Sequence, residues 1–143
     1  MTPLVRRYIK TSLVFLTFGL ALGAYIVVSQ FLRDVNPSRL LVTAHAHLLL
    51  VGFMLMMVMG VATWMFPRPA RDDRRYRPEL AEAVYWVMTT ATAARAGAEI
   101  AVAMAGALSL RWLIAVGGLG QLVAAMLFVL NIWWRVRMPL ARG

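Results

Sequence analysis

Four long apolar blocks, Thr11–Leu32, Leu40–Phe66, Tyr85–Leu110 and Trp112–Trp134, account for most of the chain. None alternates apolar and polar residues with the period of a half-buried strand. Each is long enough to cross a bilayer as a helix, which takes about 20 residues. The pattern therefore predicts an all-α membrane protein: one four-transmembrane-helix bundle over residues 1–143, with helices at about 9–33, 38–66, 78–108 and 110–136.

The polar breaks supply the helix ends. In "RDVNPSR", Asn36 is the candidate N-cap of the second helix and Pro37 its first residue. Pro67 and Pro69 stop that helix, with Trp64 at interfacial depth. Pro78 and Glu79 open the third helix, where a proline is tolerated and a carboxylate faces the positive end of the helix dipole. A short turn around Ser109–Arg111 leads into the fourth, which ends in "NIWWRVR", an aromatic belt followed by snorkelling arginines. The small residues of "TTATAARAGAEIAVAMAGA" and "GGLGQLVAA" predict close approach of the third and fourth helices.

Composition narrows the class. Of 143 residues, 62% are hydrophobic, more than a small soluble globule can cover. The net charge of +9 would suit a nucleic-acid binder, but its placement points elsewhere. Of 15 basic residues, Arg6, Arg7, Lys10, Arg68, Arg71, Arg74, Arg75, Arg77, Arg135, Arg137 and Arg142 fall on one side of the expected bundle. Only Arg33, Arg39 and Arg111 fall on the other. That bias predicts both termini in the cytoplasm of a bacterial or archaeal cell, the chain lying in its inner membrane with lipid rather than nucleic acid as partner. The first block is too long for a signal-peptide core and lacks a small-x-small exit before "SQFLRD", so it is expected to be a retained helix. With no cysteine, disulfides, Fe–S clusters, thiolate zinc and covalent c-type haem are excluded.

Polar side chains within the apolar blocks carry the chemistry, since an ionisable group at membrane depth is costly and needs a partner, a cavity or a cofactor. Arg95 and Glu99, four apart, share a helix face and are expected to pair, with Gln121 within reach from the fourth helix. His45 and His47, in "TAHAHLLLVGFM", are the only histidines. Two residues apart on a helix they project about 200° apart, so they cannot share one metal ion. Either one is a ligand and the other is not, or the two serve different sites. Gly52 and Gly60 lie below His45 on one stripe, leaving a smooth face for a flat ligand. Met54, Met56, Met57, Met59 and Met65 allow a Met/His copper site, though apolar filling is methionine's commoner use.

The stretch "HAHLLLVGFMLMMVMGVATWMFPR" resembles the second transmembrane helix of the haem–copper oxidase subunit I family, in particular the C-type oxidases and nitric oxide reductases. The resemblance implies that His45 ligates a low-spin haem near the outer end of that helix. It also makes the chain similar to helices I–IV of the large subunit, as a short stand-alone relative. Two histidines cannot build the family's three-histidine copper site, so no copper and no oxidase-type oxygen reduction by one chain are expected.

That family's subunit is pseudo-threefold, and its H-x-H motif serves two haem pockets. By the same resemblance His45 and His47 become metal ligands to two neighbouring haems, one haem b clamped between each pair of protomers in a homotrimer. Arg39 and Arg111 are then candidates for the propionates, with ordinary interfacial arginine as the alternative. The expected function is a haem b-binding membrane cytochrome for electron transfer, with a quinol or cytochrome as redox partner, and not an enzyme by itself. The rivals are haem-based NO or O2 binding, sensing or reduction, and a cofactor-free assembly subunit.

Overall fold

A computed structural model of the chain describes residues 2–66 and 77–136. Among these there is no strand, and four long helices carry the fold: α1 Pro3–Leu32, α2 Arg39–Met65, α3 Pro78–Ala105 and α4 Arg111–Val136. Helix is what apolar blocks of this length must form in lipid, because only a helix satisfies its own backbone polar groups there. Three helical stretches, Pro3–Leu32, Arg39–Met65 and Leu108–Val136, are long and apolar enough to cross a membrane. The exception is α3, in which alanine, threonine and glycine replace branched aliphatics around Arg95 and Glu99.

Several boundaries move from their expected places for identifiable reasons. Pro3 sits in the first turn of α1, so Arg6, Arg7 and Lys10 are already helical, and Arg7 Nη1 donates to Glu82 Oε1 at 2.7 Å. The N-cap of α2 is Ser38 rather than Asn36: its side chain accepts from Leu40 N–H at 3.3 Å. A left-handed Gly106, at φ 64°, ends α3 at Ala105, a conformation that glycine adopts without penalty. The turn between α3 and α4 therefore begins at Gly106 and includes a 3-10 turn, Leu108–Leu110. The arginine-rich segment before α3 and the residues after Val136, which carry much of the charge bias, lie outside the described residues.

Within α2 the hydrogen-bond pattern changes twice, from α over Arg39–His47 to π over Leu48–Leu55 and back to α over Met56–Met65. An unbroken apolar run gives no polar landmark by which sequence periodicity could register a π turn.

α1 lies along the length of α2, the first turns of α2 pack on α3, and α3 and α4 make a similarly extensive contact. The shared core runs from the first turns of α1 and α3 into the middle of the bundle: Tyr8, Phe15, Leu48, Met56, Met59, Val84, Tyr85, Met88, Ala96 and Ala124 are buried in it. Tyr8 and Tyr85 meet edge to face at 5.0 Å, and the Tyr85 hydroxyl hydrogen-bonds Thr11 Oγ1 at 2.8 Å. Met56, Met59 and Met88 are fully buried among these apolar side chains, the filler role of methionine. Arg135, expected to snorkel, is instead buried. Its Nη2 donates to the carbonyls of Thr63 at 3.0 Å and Phe66 at 2.6 Å, closing the C-terminus of α2 with positive charge at the negative end of the dipole.

Candidate functional site: a histidine pair and a buried polar chain

The two histidines occupy opposite sides of α2, as their spacing requires. His45 turns to α1, where its Nδ1 lies 2.8 Å from the Gly19 carbonyl oxygen. Its ring rests on Gly23: a Cβ there would stand 2.6 Å from His45 Cε1. Gly19 and Gly23, one turn apart on α1, thus form the notch that admits His45 and Leu49. This small-xxx-small pair is legible as "GLALG", a signal the reading of the sequence passed over.

His47 turns to α3. Its Nδ1 lies 2.9 Å from the Thr43 carbonyl oxygen, one helical turn back, and 3.6 Å from Glu99 Oε2. A backbone carbonyl only accepts hydrogen bonds, so in each neutral imidazole Nδ1 carries the hydrogen and Nε2 keeps the lone pair. Both side chains are half-buried.

From His47 a polar chain runs through the bundle. Glu99 is fully buried; its Oε1 accepts from Arg95 Nε at 3.1 Å, and its Oε2 has no hydrogen-bond partner among the described residues. Arg95 Nη1 donates to Gln121 Oε1 at 3.1 Å, and Gln121 Nε2 donates to Thr92 Oγ1 at 3.1 Å. The pair expected from the four-residue spacing is therefore present, and Gln121 joins it to α4. Arg95 can cross because α4 offers glycines: a Cβ at Gly117 would lie 2.7 Å from Arg95 Cβ, and one at Gly118 2.9 Å from Arg95 Nη1. Buried charge of this kind persists when paired and hydrogen-bonded, and α3, the least apolar helix, holds it between its two neighbours.

Gly52 and Gly60 share the α1-facing side of α2 with His45, but the stripe is filled. A Cβ on Gly52 would meet Phe15 Cγ at 2.7 Å, and one on Gly60 would meet Tyr8 Cβ at 2.8 Å. Gly52 thus seats an aromatic ring of α1 rather than lining an open slot. Arg39 and Arg111 are exposed at the same end of the bundle, on the first residues of α2 and α4. The structure does not bring either arginine to the histidines as a hydrogen-bond partner; Arg111 instead shares with Arg95 a cleft along α4. Among the described residues no three His, Cys, Asp or Glu side chains gather as an all-protein metal cage.

Comparison with protein-family models, with curated proteins and with solved structures finds no match to this chain.

The residues fit haem in one respect and constrain it in another. The donor chemistry suits an iron porphyrin: each Nδ1–H held by a carbonyl leaves Nε2 to coordinate, the arrangement that orients metal-bound histidine. The opposed directions of the rings, and the filled stripe beneath His45, leave no single site within one chain that both can serve.

Proposed function

We propose that the chain is an integral membrane haem b protein for electron transfer, with each haem held between copies by His45 of one and His47 of the next. In this reading all four helices cross the bilayer, both termini face the cytoplasm, and three copies close the ring. The observation that carries it is the anchoring of both Nδ1 atoms on backbone carbonyls, Gly19 O at 2.8 Å and Thr43 O at 2.9 Å, which keeps both Nε2 lone pairs for a ligand. A haem held by these two histidines would supply a one-electron carrier, with a potential set by its ligands and its apolar surroundings. The protein's own part is to fix the two imidazoles, exclude water with the apolar faces of α1 and α2, and offer a redox partner, a quinol or a second cytochrome, an approach through the bilayer or its surface.

A second reading is favoured by the 3.6 Å approach of His47 to Glu99: the histidines are polar packing groups of a cofactor-free subunit. The optical spectrum of the full chain, purified from haem-replete cells, separates the two. The haem reading expects a low-spin Soret band indifferent to CO. A Soret band that shifts with CO means an open iron and a gas-binding role, and no Soret band leaves the cofactor-free subunit.

A further inference from the structure

A cleft of about 900 Å3 opens between the first turn of α2 and the first half of α4, lined by Leu40, Arg95, Arg111, Ile114, Ala115, Gly118 and Leu119. On α4, Arg111, Ala115, Gly118 and Leu119 follow the three-and-four spacing of a single helix face, so the cleft runs along that helix from its first residue inwards. Arg111 stands at the mouth, exposed, beside an exposed Trp112 at a depth that suits a membrane interface. Gly118 is the window in the wall, because any Cβ there would lie against Arg95 Nη1.

Arg95 is not used up by its partners. A guanidinium carries five N–H donors, and those of Arg95 engage only Glu99 Oε1 and Gln121 Oε1 among the described residues. Its remaining donors border the cleft, whose walls apart from Arg111 are apolar. Charge adds to this. Glu99 balances Arg95, whereas Arg111 has no carboxylate partner among the described residues, so the cleft keeps a net positive charge. We infer that the cleft binds an anionic phospholipid, whose phosphate accepts from Arg111 at the mouth and whose ester oxygens meet the spare donors of Arg95. The acyl chains continue over Leu119 and its exposed apolar neighbours on α4, Val116 and Leu122. A small soluble anion would satisfy the arginines but leave the apolar wall uncovered. The inference rests on the cleft alone and stands or falls independently of haem.

Native mass spectrometry of the full chain in detergent, titrated with phosphatidylglycerol or phosphatidylcholine, tests it. The expected result is an about tenfold preference for phosphatidylglycerol. Arg111→Glu should abolish the preference. Ala115→Trp, at an exposed position, should fill the cleft and expel the lipid while the unfolding midpoint stays unchanged. Excess inorganic phosphate should not displace the lipid. Equal binding of the two lipids, phosphatidylglycerol adducts untouched by both substitutions, or displacement by phosphate would each overturn the assignment.

Discussion

His47 Nδ1 and Glu99 Oε2 lie 3.6 Å apart across the seam between α2 and α3, near enough to attract and too far to hydrogen-bond. The imidazole hydrogen goes to the Thr43 carbonyl, and the carboxylate is held from its other oxygen by Arg95. Glu99 is thus fixed by one strong partner on its own helix, which makes the pair a unit for substitution.

Glu99→Gln should leave the Arg95 charge half-buried without its counter-ion and destabilise the bundle by about 3–5 kcal/mol, the usual cost of removing one partner of a buried pair. The Arg95→Leu, Glu99→Leu double substitution removes both charges and should recover most of that loss. Equilibrium unfolding in mixed micelles of Arg95→Leu, Glu99→Leu and their double variant gives the coupling energy. Additive losses would mean that the two side chains act separately.

Gly117→Ala should separate α3 from α4. The added Cβ would stand 2.7 Å from Arg95 Cβ and 2.9 Å from the Ala91 carbonyl oxygen, backbone that cannot swing aside. The expected cost is about 1–3 kcal/mol, as for overpacking elsewhere. Gly97→Ala on α3, where an added Cβ meets nothing within 4 Å, should be neutral in the same unfolding assay.

Arg135→Ala should loosen the end of α2, since it removes the donor to Thr63 O and Phe66 O. A charge-assisted hydrogen bond contributes about 1.5–3 kcal/mol, and Arg135→Lys should restore part of it, because an ammonium also carries several donors on one nitrogen. Hydrogen exchange of the last turn of α2 is the measurement: protection should fall there while the α1–α2 notch at Gly19 keeps its own.

The sequence made the four helices legible because apolar blocks of about 20 residues have few alternatives in lipid. It also made the Arg95–Glu99 pair legible, since four-residue spacing fixes a shared face. Three things escaped it. The π segment of α2 sits in a run with no polar marker. The occupant of the glycine stripe, Phe15 and Tyr8, depends on which helix lies against α2, and spacing within α2 says nothing of that. Arg135 reads as a basic residue after an aromatic belt, and only the meeting of α4 with the end of α2 makes it a cap.

Gly23→Ala should displace the His45 ring, whose Cε1 would lie 2.6 Å from the new methyl group. In the haem reading this shifts or broadens the Soret band with little change in fold, whereas in the cofactor-free reading it changes stability alone. Absorbance and unfolding midpoint, taken on one sample, distinguish these outcomes.

The central claim, ligation across the junction of two copies, is tested most directly by complementation. His45→Ala and His47→Ala chains are each expected to bind no haem when expressed alone. Co-expressed, they should regain about one quarter of the haem bound by the unsubstituted protein, because in a closed head-to-tail ring that share of junctions pairs an intact His45 with an intact His47. A single substitution that leaves haem in place, or co-expression that restores none of it, would contradict the account.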